Sequence, residues 1–281
     1  MISLRNKYFL IALIASLLCI YASVALGAGT KSCYDKIDYI KPNNVIAERA
    51  LYVFIDQTTP LSGKMRKNLS ALLTKWGRQG DLLKIARFSA NYRGKYPELI
   101  FNEKIDGLPG QQYIYNLRWK DKKELLACIE NNEKQVSKAF AKVVKETLES
   151  NNPKTPKTEL LYSLKELSRQ VIIKNEAKQK TVLLVSDGME NSHLLSFYKK
   201  GGLKKVNVRK TILKIRRQGL IGHWKGTEVY IYGLALGSKK NPYTSPQSVN
   251  RLKSFWEHYF VEGGAVIKGI GAPELLVSSI D

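Results

Sequence analysis

Apolar residues along this chain fall into two kinds of run that alternate. One kind is short and continuous: Ala50 to Ile55, Leu82 to Ala90, Thr181 to Val185, Glu228 to Leu236 and Ala265 to Ile270. Runs of this length, rich in β-branched and aromatic residues, predict buried strands. The other kind repeats at spacings of three and four. Met65, Leu69, Leu72, Leu73 and Trp76 do so within Ser62 to Trp76, and Leu160, Leu161, Leu164 and Leu167 within Thr158 to Gln170. That period predicts amphipathic helices. Lys122 to Ser150, a segment near Val208 to Gln218, and Ser245 to Phe260 read the same way, the first with a break near Asn131 and Asn132. Tyr96 to Ile105 alternates partly and predicts a further strand, while Gln111 to Trp119 reads as a short exposed hairpin or loop. Strands alternating with helices predict an α/β fold: a doubly wound, mostly parallel sheet with helices on both faces.

Residues 1–28 stand apart from this pattern. Arg5 and Lys7 form a short basic start, Tyr8 to Ala28 carries no charge, and Ala25, Leu26 and Gly27 suit a cleavage site. The segment reads as an export signal; its length also suits an uncleaved N-terminal membrane anchor. Residues 29–46 then form a tail, and 47–281 one domain. The expected location is the periplasm or cell envelope. Two cysteines remain after residue 28, Cys33 and Cys128. In an oxidising compartment an even count suggests a disulfide pinning the tail to the domain; two separate buried thiols are the other reading.

The chain of 281 residues carries 46 basic and 24 acidic side chains, and without Arg5 and Lys7 the balance is 44 to 24. Such an excess bears on partners and association rates and not on fold. Nine of the basic residues lie in Lys199 to Arg217, a stretch with no acid: Lys199, Lys200, Lys204, Lys205, Arg209, Lys210, Lys214, Arg216 and Arg217. They form either a solvated face or one that attracts an acidic partner or anionic lipid. Nucleic acid is not the expected partner.

Two of the apolar runs end in a carboxylate. The first leads into Asp56-Gln57-Thr58-Thr59-Pro60-Leu61-Ser62 and the second into Ser186-Asp187-Gly188-Met189-Glu190-Asn191. Ligands in open α/β sheets bind at the carboxyl ends of strands, so Asp56 and Asp187 are candidates for one shared site. Each also suits a humbler task. Asp56 and Thr58 can cap a following helix, and Asp187-Gly188 can be a plain turn.

Taken in order, these motifs resemble the von Willebrand factor A family. Asp56-Gln57-Thr58-Thr59-Pro60 is similar to the Asp-x-Ser-x-Ser piece of that family's metal-ion-dependent adhesion site. Thr158 is similar to its loop threonine, and Asp187 to its second aspartate. The resemblance implies a protein-binding module whose Mg²⁺, Ca²⁺ or Mn²⁺ ion, held by Asp56, Thr58, Thr158 and Asp187, bridges to a carboxylate of a partner protein. Oxygen ligands of this kind suit hard cations. One position departs from the pattern: Pro60 stands where the family has its last serine, and Ser62, two residues on, is the substitute oxygen. Thr59 is expected to point away if Thr58 points in.

The alternative is a metal-independent structural component of a secretion- or conjugation-like envelope assembly, docking through Lys199, Lys200, Lys204, Lys205, Arg209 and Lys210. Membrane association through the N-terminus or that basic face fits either reading. An enzyme is not expected. The three histidines, His193, His223 and His258, form no His-Glu-x-x-His pattern, and no Gly-x-Ser-x-Gly elbow is present. The aromatics of Phe255 to Phe260 are expected in the core.

Overall fold

A computed structural model describes residues 31–36, 46–89, 97–150, 158–199, 202–236 and 245–280. Its centre is a six-stranded sheet in the order β3-β2-β1-β4-β7-β8. The strands are β1 (Arg49–Asp56), β2 (Leu82–Phe88), β3 (Glu98–Lys104), β4 (Gln179–Val185), β7 (Glu228–Tyr232) and β8 (Val266–Ile270). Only β3 runs antiparallel to its neighbour. A two-stranded hairpin, β5 (Tyr198–Lys199) and β6 (Gly202–Leu203), stands outside the sheet.

The continuous apolar strands are explained by burial on both faces. In β1, Ala50, Tyr52 and Phe54 face one core while Leu51, Val53 and Ile55 face the other. The second core is closed by α1 (Gly63–Leu72) and α3 (Trp119–Glu149). The first is closed by α4 (Leu160–Leu167), α5 (Val208–Arg217) and α6 (Pro246–Glu262). Phe255, Trp256, Tyr259 and Phe260 are buried there, as expected. The fold is therefore the doubly wound α/β architecture anticipated from the alternation.

Two elements differ from expectation. Residues 111–119 are not a hairpin: Gln111–Asn116 form a short helix, α2, with no buried residue and no side-chain cap, so no periodic signal announces it. The helix α3 runs unbroken through Asn131 and Asn132. Asn132 is buried and its side-chain oxygen accepts from the amide of Asp106 at 3.1 Å. An asparagine that finds a partner elsewhere no longer competes with its own helix backbone.

The sulfurs of Cys33 and Cys128 are bonded, so the tail is pinned to α3. Cys33 and Tyr34 pack there against Leu117, Leu125 and Ile129 in a small third cluster. Residues 1–28, Asn151 to Lys157 and Lys200 lie outside the described residues. Among the described residues no helix is long and apolar enough to cross a membrane.

Candidate functional site

β1 has β2 on one side and β4 on the other, and its crossover through α1 leads to β2. β1 and β4 run parallel with Ile55 beside Val185, so both chains emerge from the same edge of the sheet side by side. That edge, where the winding reverses, is the usual place for a ligand in such sheets. Asp56 is the last residue of β1, and Asp187 lies two residues past the end of β4.

The side chains there form one connected network. Asp56 is fully buried. Its Oδ1 accepts from the Thr58 amide at 2.9 Å and from the Thr58 hydroxyl at 2.6 Å, and its Oδ2 accepts from the Ser186 hydroxyl at 2.8 Å. The Thr58 and Thr158 hydroxyls lie 2.9 Å apart. Since the single hydroxyl proton of Thr58 goes to Asp56, Thr158 is the donor in that pair. Asp187 joins through its backbone, whose amide donates to Thr59 Oγ1 at 3.0 Å, and its own Oδ1 accepts from the Met189 amide at 2.9 Å. Asp56, Thr58 and Thr158 are thus joined through their side chains, and Asp187 is held beside them through its backbone.

Ser62 is placed differently. Its hydroxyl caps α1 by accepting from the Met65 amide at 3.2 Å. Pro60 is exposed. The oxygen that sequence reasoning set aside, that of Thr59, is fully buried and touches both aspartates. Alternation of side chains holds only in an extended strand. After Asp56 the chain turns, with the Thr59 amide donating to the Asp56 carbonyl at 3.2 Å, and both threonines face inward.

Ser186 and Glu190 also escaped the sequence reading. Glu190 is buried, and its carboxylate accepts from the Leu161 amide at 2.9 Å, at the start of α4. A carboxylate there satisfies free amides and suits the positive end of the helix dipole. Next to it, the Asn191 amide donates to the Thr158 carbonyl at 2.9 Å. Glu190 and Asn191 therefore hold Thr158 in register with Asp187. The hairpin is fastened to the same loop: the Phe197 amide donates to the Glu190 carbonyl at 2.9 Å and the Lys204 amide to the Phe197 carbonyl at 2.7 Å. Within the basic stretch, Lys204, Lys205, Arg209 and Lys210 are exposed, and Lys214 Nζ donates to the Leu194 carbonyl at 2.6 Å.

Electrostatics mark the site. Among the described residues no cationic side chain forms an ion pair with Asp56 or Asp187. Burial raises the Asp56 carboxyl above its ordinary value, against the hydrogen bonds from Thr58 and Ser186. Burial, then the neighbouring Asp56, pushes Asp187 up to about 7, and burial pushes Glu190 up to about 7. Burial, then the charges of Asp187 and Asp56, raise the hydroxyl of Tyr198 in the hairpin above its ordinary value.

These shifts give a testable sign. Between pH about 4 and 7 the unfolded chain has ionised its carboxyls while the fold still holds protons on Asp187 and Glu190. The folded state binds more protons in that window, so stability falls as pH rises through it, by on the order of a few kcal/mol. Urea midpoints measured in chelator should drop between pH 5 and pH 7.5. A rise over that interval would contradict the assignment.

The donor set fits a hard cation: two carboxylates and two threonine hydroxyls, all oxygen. Among the described residues no group of three or more His, Cys, Asp or Glu side chains offers a metal site. An ion would therefore rest on the two aspartates, the hydroxyls and water, a pattern that suits Mg²⁺ more than softer metals.

No family model matches the chain, and no curated protein matches it in sequence. Among solved structures, an aerotolerance-related membrane protein from Bacteroides fragilis NCTC 9343, carrying multiple mutations to serines, is 11% identical; 78% of this chain covers 89% of it, with a TM-score of 0.34. BatB from Bacteroides thetaiotaomicron is 12% identical, with 81% of this chain covering 91% of it at a TM-score of 0.35. Proximal thread matrix protein 1 from the mussel byssus, solved with a zinc-occupied MIDAS motif, is 13% identical; 78% of this chain covers 48% of it at 0.31. Overlays this loose carry no conclusion about a metal or a partner, and the site rests on its own residues.

Proposed function

We propose that this chain is an exported protein-binding module of von Willebrand factor A type, acting at the periplasm or cell envelope and not an enzyme. In this reading Asp56, Thr58, Thr158 and Asp187 hold Mg²⁺, or Ca²⁺ or Mn²⁺ in its place. The observation that carries the reading is the convergence of these residues at one sheet edge: hydrogen bonds of 2.6 to 2.9 Å join the side chains of Asp56, Thr58 and Thr158, and the Asp187 amide joins through Thr59 at 3.0 Å. A cation there would offer open coordination positions to an acidic side chain of a partner protein. The chain's own groups do the remaining tasks. Thr59 and Ser186 lock the two strand ends together, and Glu190 sets the Thr158 loop. Exposed Lys204, Lys205, Arg209 and Lys210 favour acidic surface around the bound carboxylate.

Calorimetry with Mg²⁺ or Mn²⁺ tests this. The natural chain should give saturable heat, and Asp187→Ala should abolish it. Equal heats for both proteins would overturn the metal reading. They would favour the second one, in which the chain is a metal-independent structural component of an envelope assembly that docks through the same exposed lysines and arginine.

A further inference from the structure

The lower edge of the sheet, opposite the site, carries a second surface. β3 ends at Lys104 beside Leu82, the first residue of β2, whereas Asp56 lies beside Phe88, the last. The Asp106 loop and the Cys33 attachment are therefore at the far end of the molecule from Asp56 and Asp187. Asn132 of α3 meets Asp106 there. The residues of α3 before Asn132, from Trp119 on, run about 20 Å past the sheet edge at 1.5 Å per residue.

The start of this projecting part carries exposed apolar rings and a cluster of lysines. Of the eleven large hydrophobic side chains exposed in the described residues, Leu108, Tyr115, Trp119 and Leu126 fall within one stretch of nineteen residues. Tyr115 is 88% and Trp119 76% exposed. Single exposed hydrophobics need no explanation, but a cluster does. Trp119, Lys123 and Leu126 follow one another at spacings of four and three, along one face of the helix, and Lys123 Nζ lies 5.4 Å from the Trp119 ring centre. Lys120 and Lys122 are exposed beside them. Arg118 is paired with Asp121 at 2.7 Å; the other acids of this part of α3 are Glu124 and Glu130, the latter paired with Lys134 at 2.6 Å.

We propose that the end of α2 and the first turns of α3 form a docking face for an anionic lipid bilayer. Tryptophan and tyrosine side chains settle at the level of the headgroups, with an apolar ring and a polar edge. Lysines carry long apolar stems, so their charge reaches the headgroups while the stems cover the helix. Clustered lysines are drawn to anionic lipid. The placement of the tail points the same way. Cys33 is bonded to Cys128 on this part of α3, the Cys33 amide donates to Asp106 at 2.6 Å, and the Tyr34 hydroxyl donates to the Gly107 carbonyl at 2.6 Å. Five peptide steps from Cys33 lead back to Ala28, at the end of the uncharged stretch Tyr8 to Ala28. An extended chain covers at most about 18 Å in that distance. The described chain therefore enters the domain at this face. α3 runs from this face toward the site, where the Gln57 side chain reaches the Thr147 carbonyl at 3.4 Å. Over its 31 residues it spans about 46 Å, so a molecule docked this way presents Asp56 and Asp187 away from the bilayer.

Trp119 itself supplies the probe. The other tryptophans, Trp76, Trp224 and Trp256, are at most 5% exposed. The full chain is mixed with vesicles of phosphatidylcholine and phosphatidylglycerol that contain a brominated lipid, and tryptophan fluorescence is read. Quenching should follow the content of phosphatidylglycerol, most of it should vanish in Trp119→Phe, and it should fall several-fold when Lys120, Lys122 and Lys123 are all changed to Glu. Protein that floats with the vesicles while Trp119 stays unquenched would overturn the proposal, since the N-terminal stretch or the α5 face would then be the contact. So would quenching unchanged by the lysine substitutions, or no association at all, the result expected if the face receives another protein.

Discussion

Gly188→Ala should be among the most damaging single substitutions in this chain, costing about 3–5 kcal/mol of stability. Gly188 follows Asp187 with φ at +71°, a conformation that side chains rarely adopt. A Cβ at this position would lie 2.4 Å from Leu234 Cδ1 and 2.6 Å from Trp256 Nε1. Neither neighbour has room to yield, because both are fully buried. Trp256 Nε1 also donates to the Gly188 carbonyl at 3.0 Å, and the Gly188 amide donates to Ser186 Oγ at 3.0 Å. A shift at this residue therefore moves the whole Ser186-Asp187 turn. Gly226→Ala separates strain from crowding. Gly226 has φ at +72°, and a Cβ there would meet nothing within 4 Å, so its substitution should cost only about 1–2 kcal/mol. At roughly 2–4 °C per kcal/mol for a domain of this size, thermal melts would show a gap of several degrees. Equal losses for the two variants would refute the packing argument.

What could be read from the sequence was whatever a short window of residues contains. The run Leu51 to Ile55 is buried on both faces, and its lack of alternation is enough to say so. Asp56 and Asp187 were legible for the same reason: a carboxylate at the end of an apolar strand has nowhere to go but the sheet edge. Long-range partners were not legible. Glu190 looks like one more loop acid until its carboxylate meets the Leu161 amide, 29 positions away. Thr59 was misplaced because the alternation of a strand was carried three residues beyond the strand's end at Asp56. Asn132 suggested a helix break because its partner, the Asp106 amide, is 26 positions distant. The bond from Cys33 to Cys128 is a long-range contact that counting did suggest, since only two cysteines follow residue 28. The resemblance to the adhesion-site motif supplied Thr158, which the residues around it would not have singled out. Its hydroxyl is turned to Thr58 while the helix start is held by Glu190.

Removing the disulfide should be about as costly as filling the Gly188 position. Cys33 and Cys128 are 95 positions apart, and the loop they close contains β1, α1, β2, β3 and α2. A crosslink of that span removes unfolded-state entropy worth roughly 4–5 kcal/mol in the chain-entropy account, with native disulfides in practice contributing about 2–5 kcal/mol. The folded state keeps little in compensation once the bond is gone. The tail's other ties include the Cys33 amide and the Ser32 hydroxyl to Asp106, the Tyr34 hydroxyl to Gly107, and a small cluster around Leu117, Leu125 and Ile129. Cys33→Ser with Cys128→Ser, or reduction of the natural chain, should therefore lower the urea midpoint of the entire domain. Hydrogen exchange should rise first at residues 32–36 and 106–108, ahead of the sheet, because the tail is held by the fewest contacts. If the loss is confined to those residues and the sheet's midpoint stays fixed, the bond staples a tail and does not constrain the fold. A fall in both, by amounts within that range, is what the position of the bond predicts.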